Sequence, residues 1–356
     1  MKLTIGTTRL QALLNKAVKG AGSNKLIPMT SLIAIKLKDG VLTLTTTDAT
    51  NYLTLIESEV SGDEFYVAVQ VDLLAKLVSK MTCQEVTLEV KDSSLEVTGN
   101  GKYQIELDLE DDGSLVKLPN AVDNFKKDTK IGTTNIHSIM QVLSSIKPAL
   151  APTMDYPWYA CYYVGERITA TDTNTVADSK NGFLTEPRLI SSFVMDLLGL
   201  FTGDIDVYAD GDKILFEAEN GTVYGTIPSG IEQYDITAIQ GLVSQEFNSS
   251  CTVVKSSLLS LLDRIALFVG MYDNGKITLS FGKDGLEVTS KYANEVIPYT
   301  KSDNADEFVC QTDVTTLVTQ VKAQTGSEIT IEYGEDNAIK IIDGDITSVI
   351  ALLEEE

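Results

Sequence analysis

Apolar positions along this chain alternate between two periods. In "TTRLQALLNKAVKG" (7–20) Leu10, Leu13, Leu14 and Ala17 recur at the three- and four-residue steps of a helix with one buried stripe. Between such stretches every second residue is apolar, as in "GVLTLTTTDATNYLTLI" (40–56), "EVTLEVKDSSLEVTG" (85–99), "RITATDTNTVAD" (167–178) and "KITLSFGKDGLEVTS" (276–290). Cut by Asp-Gly, Asn-Gly and Asp-Ser turns, this reads as antiparallel hairpins. The pattern predicts six helices, over 7–20, 70–81, 134–149, 186–201, 255–270 and 311–325. Three of them open on Gln70-Val71-Asp72, Glu186-Pro187 and Gln311-Thr312-Asp313, and acidic or hydroxyl side chains suit a helix N-terminus.

The start of a helix is spelled three times: "IGTTRLQALL" (5–14), "IGTTNIHSIM" (131–140) and, more weakly, "VVKSSLLSLL" (253–262). The chain has 356 residues, more than the roughly 250 that one core sustains. The repeats therefore predict three domains, 1–125, 126–246 and 247–356. Their boundaries fall in the polar, helix-poor stretches "NAVDNFKKDTK" (120–130) and "GLVSQEFNSS" (241–250). Each domain divides into two β-α-β-β-β halves, an α+β fold of sheets backed by helices.

A net charge of −23 argues against nucleic acid if it is spread evenly. It is not. The six predicted helices carry ten basic residues against five acidic ones, so the acid lies almost entirely on the rest of the chain. On the first helix Arg9, Lys16 and Lys19 fall within about 80° of one another, beside the apolar arc. Lys76 and Lys80 form an i, i+4 pair on the second.

Reactive chemistry is poorly represented. Cys83, Cys161, Cys251 and Cys310 are dispersed, with no C-x-x-C, and read as buried reduced thiols. His137 is the only histidine, aligned with Gln11 by the repeat and without a nucleophile motif nearby. Thr47-Asp48 and Thr171-Asp172 recur after a strand, as turn chemistry would. "LDLEDDG" (107–113) lacks the ligand spacing of a calcium loop, and no glycine-rich phosphate loop is present. No enzyme activity, cofactor or metal is expected. No apolar run approaches the ~18 residues of a membrane span, and "MKLTIGTTRL" does not read as a signal peptide, so a cytoplasmic protein is expected.

The stretches "IPMTSLIAIKLKDGVLTLTTTD" (27–48) and "RITATDTNTVA" (167–177), with the three-fold repeat, resemble the bacterial replication sliding clamps, the β subunit of DNA polymerase III. The resemblance implies three tandem clamp domains per chain and a head-to-tail homodimer closing a ring, with helices inside and sheets outside. It implies a processivity factor that encircles duplex DNA without sequence preference, with a DNA polymerase and a clamp loader as partners. On this resemblance Arg9, Lys16, Lys19, Lys25, Lys76, Lys80, Lys147, Arg188, Lys255, Arg264 and Lys322 line the DNA channel. Tyr103, Ile105, Leu267 and Phe268 close the dimer. A peptide-binding cleft is lined by Pro157, Thr171, Thr173, Asn174, Thr175, Val176, Val349, Ile350, Ala351, Leu352 and Leu353.

Two departures stand out. Thr173-Asn174-Thr175 replaces the family's Gly-His-Arg, and the chain ends in Glu354-Glu355-Glu356. An acidic rim implies a cleft selecting basic peptides; the alternative is an acidic tail without a role. Such divergence fits a viral or mobile-element source as well as a cellular one. Two other classes stay open on sequence: a clamp-fold platform for transcription or repair machinery, and a β-rich assembly protein, which predicts no cationic helix face.

Overall fold

Among the described residues six helices grow directly out of the end of a strand, and that junction organises the architecture. The computed structural model describes all residues except 23, 25, 111, 120, 152–156, 270–274, 304–306, 335–336 and 354–356. β1 (Lys2–Gly6) runs into α1 (Thr7–Ala17), followed by the meander β2 (Leu32–Lys38), β3 (Val41–Thr47) and β4 (Tyr52–Glu57). β5 (Phe65–Gln70) runs into α2 (Val71–Ser79), followed by β6 (Glu85–Val90), β7 (Ser94–Thr98) and β8 (Lys102–Glu106). Each leading strand joins the other half's meander, giving the orders β1-β6-β7-β8 and β5-β2-β3-β4. The halves are thereby interlocked.

The same exchange recurs. β9 (Lys130–Asn135) leads into α3 (Ile136–Ile146), then β10 (Cys161–Val164), β11 (Ile168–Thr171) and β12 (Thr175–Ser179). β13 (Arg188–Ser191) leads into α4 (Ser192–Leu198), then β14 (Asp204–Asp210), β15 (Lys213–Ala218) and β16 (Gly221–Thr226). After α5 (Ile236–Ser244), β17 (Ser249–Val254) leads into α6 (Lys255–Val269), β18 (Lys276–Phe281), β19 (Leu286–Thr289) and β20 (Asn294–Ile297). β21 (Lys301–Asp303) and β22 (Phe308–Asp313) precede α7 (Val314–Ala323), and β23 (Glu328–Tyr333), β24 (Ala338–Asp343) and β25 (Ile346–Ala351) complete the chain. The orders β9-β14-β15-β16, β13-β10-β11-β12, β17-β23-β24-β25 and β22-β18-β19-β20 repeat the first pair of blocks.

The chain packs as two compact units, Met1–His137 with Phe193–Ile227 and Ser138–Ser192 with Pro228–Glu356. In the first, β4 pairs antiparallel with β16, Leu53 opposite Val223, fusing two blocks into eight strands. In the second, β12 pairs with β25, Val176 opposite Val349, and β21 extends that sheet to nine strands beside β17. Three blocks therefore lie in each unit, and the end strands β8 and β20 pair on one side only.

The two apolar periods mark the buried faces. Leu10, Leu13, Leu14 and Ala17 of α1 are buried, as are Leu258, Leu261, Leu262 and Ile265 of α6. Along the strands the buried positions alternate: Val86 and Leu88, Ile205 and Val207, Ile277, Leu279 and Phe281. Asp39 and Gly40 both take positive φ between β2 and β3, the geometry a two-residue hairpin requires.

Three expectations need correction. Residues 186–191 do not begin a helix: Arg188–Ser191 form a strand against β10, with Leu189 and Ile190 buried, and the helix starts at Ser192. The stretch around 241 is not helix-poor, since α5 runs to Ser244, capped by Asp235 Oδ1 accepting from Ala238 N at 3.1 Å. The second "IGTT" is out of step with the first: Gly6 ends β1, but β9 runs on to Asn135. There Asn135 Nδ2 donates to Asp204 and its Oδ1 accepts from His137 N, so the carboxamide fixes a helix start three residues later. Structurally equivalent starts are Thr7, Ile136 and Lys255, whose N–H groups bond Gln84, Gly203 and Ser327 carbonyls, each at 2.9 Å. His137 thus matches Thr8 rather than Gln11.

Candidate nucleic-acid face and partner cleft

The helical cations divide by their company. Arg9 pairs with Glu57 and donates to the Ser58 carbonyl at 2.6 Å. Lys76 meets Asp72 at 3.2 Å, Lys322 meets Asp263 at 3.5 Å, and Arg264 grips Glu295 of β20 through both Nε and Nη2. Glu295 is held below the usual carboxylate range chiefly by that hydrogen bond. Lys255 is half-buried, with its amine on the Lys322 and Gln324 carbonyls at the C-terminus of α7, where a cation satisfies unpaired carbonyls and opposes the helix dipole. Arg188 lies on a strand, not a helix, and bonds Glu186 at 2.7 Å and the Pro187 carbonyl at 2.9 Å. Lys147 is exposed just beyond α3, and Lys25 lies outside the described residues. Lys16, Lys19 and Lys80 make no ion pair with a described carboxylate. All three belong to the adjoining helices α1 and α2 or their last turns, locked together by Gln11 Nε2 donating to the Val78 and Met81 carbonyls.

Of the expected dimer residues, three offer apolar surface. Tyr103 on β8 is 42% exposed, and Leu267 and Phe268 on α6 are 75% and 46% exposed. Ile105 is a correction: at 3% exposure it faces Leu95 inside its own core, because strand alternation there turns it under the sheet.

The expected cleft wall is split by strand alternation. Antiparallel pairing puts Thr171, Val176 and Val349 on one face of the β11-β12-β25 sheet, joined by Ala351. Thr175 and Ile350, paired with each other, point to the opposite face, where Ile350 enters the core under α6 and α7. They are therefore not cleft residues. Thr173 and Asn174 sit exposed on the hairpin tip, and Pro157 is exposed ahead of β10. Leu352 packs partly on the core under α6 and α7, Leu353 is exposed, and Glu354, Glu355 and Glu356 lie outside the described residues.

What sequence reading missed is the cover on this face. Val176 and Val349 are buried with Cys161, Leu189, Tyr234 and Ile239, and Trp158, Tyr159, Tyr163, Ile236 and Val243 pack around them. Tyr234 stacks on Tyr163 at 5.5 Å and meets Tyr159 edge-on at 5.3 Å, while its hydroxyl donates to the Thr169 carbonyl. Burial pushes the Cys161 thiol up to about 11 and raises Tyr234 strongly. The available signal was Asp235 ahead of Ile236, Ile239 and Val243, a cap followed by apolar steps of three and four.

The Thr-Asp motifs are turns, and both are built alike. Thr47 Oγ1 donates to the Asn51 carbonyl and Thr171 Oγ1 to the Thr175 carbonyl. Asp48 Oδ1 accepts from Thr50 and Asn51 N–H, Asp172 Oδ1 from Asn174 and Thr175 N–H, and the residues between, Ala49 and Thr173, take φ of 85° and 79°. These carboxylates are committed to local backbone. Among the described residues no group of three or more His, Cys, Asp or Glu is placed to hold a metal, and no helix is long and apolar enough to cross a membrane.

Six strand-exchanged blocks of this kind define the DNA sliding-clamp fold. Residues 1–114 match the family model for the DNA polymerase III beta subunit, N-terminal domain. The whole chain superposes on the DNA polymerase sliding clamp of Bacillus subtilis (TM-score 0.86, 18% identity) and on the DNA polymerase beta subunit of Streptococcus pyogenes (0.87, 15%), covering 100% of each chain in both cases. The DNA polymerase III subunit beta of Pseudomonas aeruginosa is similar over the same extent (0.86, 13%). No curated protein matches by sequence.

Proposed function

We propose that this chain is a replication sliding clamp: a non-enzymatic ring that encircles duplex DNA and tethers a polymerase, loaded by a separate clamp loader in the cytoplasm. The observation that carries this reading is the strand bookkeeping. The end strand of one meander pairs with that of another at β4 with β16 and at β12 with β25, leaving β8 and β20, among the described residues, as the two meander-end strands without a second partner. Exposed edges invite pairing, and a head-to-tail contact between two copies satisfies both at once. Tyr103 on β8, with Leu267 and Phe268 on the helix beside β20, supplies apolar surface at that seam. Three domains, 1–125, 126–246 and 247–356, then give six per ring.

DNA contact in such a ring rests on phosphates alone, so it needs cations but few strong ones. Lys16, Lys19 and Lys80 fit that role, while the acid elsewhere discourages association with DNA outside the channel. The test is retention on circular duplex after loading. The clamp stays on intact circles and leaves when the same circles are cut; equal loss from both refutes encirclement.

A further inference from the structure

We propose that Glu354, Glu355 and Glu356 seat in a lysine-lined hollow on the outer face of the β22-β18-β19-β20 sheet, away from the face that carries Thr171, Val176, Val349 and Ala351. The placement of Leu353 leads there. β25 ends at Ala351, and two residues further on Leu353 N donates to the Gln311 carbonyl of β22 at 2.9 Å. The three glutamates follow directly. Ile277, Leu279 and Cys310 turn inward beneath α6 and α7, so Lys276, Thr278 and Gln311 share the opposite face.

Gln311 lines a hollow of about 370 Å³ on that face, together with Lys276, Thr278, Thr289, Ser290 and Lys291. Gln311 lies opposite Thr278, and strand spacing and rise then put the Cα atoms of Gln311 and Lys276 about 8 Å apart. Three extended residues cover about 10 Å, enough to carry a carboxylate from Leu353 to either lysine.

Charge selects this occupant. Two of the residues lining the hollow are cations and none is acidic. Thr278 faces Thr289, and the same register two residues on sets Lys276 beside Lys291, whose Nζ lies 5.3 Å from the Tyr292 ring centroid. Like charges side by side across two strands repel unless an anion joins them. Asp313, opposite Lys276, is engaged elsewhere: its Oδ1 caps α7 by accepting from Thr316 N at 2.7 Å. Gln311 adds a second demand, a buried Oε1 with no hydrogen-bond donor among the described residues. A backbone N–H of the entering tail would supply one. Seated there, the glutamates tie down the end of β25 and put no acidic rim on the face of Val176 and Val349.

Zero-length carbodiimide coupling of the full chain, read by mass spectrometry, tests the seat. Amide links from Glu354, Glu355 or Glu356 should run chiefly to Lys276 and Lys291, and their yield should fall about five-fold or more as NaCl rises from about 50 mM to about 1 M. Acylation of lysines by an N-hydroxysuccinimide ester gives a second readout. The variant carrying Glu354→Gln, Glu355→Gln and Glu356→Gln should label about two-fold or more faster at Lys276 and Lys291, with exposed Lys283 and Lys301 unchanged. Coupling chiefly to other lysines overturns the inference, and so does equal labelling of Lys276 and Lys291 in variant and wild type. Links found only between chains, in a mixture of ¹⁵N-labelled and unlabelled protein, overturn the intrachain seat and assign the hollow to a second copy's tail. Neither readout involves DNA, so retention on circles tests the clamp reading separately.

Discussion

Removing charge from the helices should weaken DNA binding by amounts set by each cation's present partner. Replacing Lys16, Lys19 and Lys80 with Gln removes three charges that make no ion pair with a described carboxylate. Each phosphate contact contributes about 0.9 to the slope of log K against log salt, so losing all three should flatten it by about 2.7. Arg264 and Lys322 differ, because Glu295 and Asp263 travel with them. Such exposed pairs are individually worth only about 0.2–1 kcal/mol, yet the carboxylate cancels most of the charge a phosphate would see. Replacing both with Gln should therefore change the slope by less than about one. Asp263→Asn releases Lys322 and should steepen the slope by up to about 0.9. Anisotropy of a labelled duplex across a salt series measures all three. Equal flattening by the paired and unpaired sets, or no response to Asp263→Asn, would refute the partner-based division.

Thr173 is a β-branched residue at φ 79°, where a left-handed conformation costs about 1–2 kcal/mol. Thr173→Gly should raise stability by about 1 kcal/mol after glycine's extra unfolded freedom is subtracted, seen as a higher urea midpoint with unchanged m. Burial drives the Cys161 thiol up to about 11 and Cys251 and Cys310 to about 12, so near neutral pH all three stay protonated. An aromatic disulfide reagent should titrate Cys83 alone in the native chain and all four thiols after unfolding. Leu267→Ala with Phe268→Ala removes two exposed apolar groups, each worth roughly 1.5–3 kcal/mol if the dimer buries it fully. Sedimentation should show the dimer weakened at least ten-fold, with helix content intact.

The periods of apolar residues were enough to find the strands and most helices, because burial on one face leaves its mark at every second, third or fourth position. Junctions were harder. A helix that begins where a strand ends offers one continuous apolar run, and the switch is set by a single residue: Asn135 or Asp313 accepting a backbone N–H, or Pro187 ahead of a strand rather than a helix. Pairing is nonlocal, so the string 349–353 looked like one apolar wall, whereas the register sends Val349 and Ile350 to opposite faces. The cationic bias of the helices was legible. The carboxylates that neutralise half of those cations were not, since Glu57 and Glu295 lie 48 and 31 residues away from Arg9 and Arg264.

Those ion pairs bear on how a clamp would hold DNA and still slide. A ring retains its substrate by closure, so each strong phosphate contact adds friction without adding retention. Pairing Arg264 with Glu295 and Lys322 with Asp263 keeps the helix surface from turning acidic while lowering what each cation offers a phosphate. Lys255 is spent differently, on the carbonyls that end α7, where losing it would cost the fold more than it would cost DNA binding. The strongest expected contacts then fall on Lys16 of α1 and on Lys19 and Lys80 just beyond α1 and α2, which make no ion pair with a described carboxylate, on two helices tied at the base by Gln11. Weak grip over most of the lumen and firmer grip at one helix pair per subunit would bias DNA toward two opposite stations in a dimeric ring, an asymmetry that footprinting of the lysines on loaded DNA can read directly.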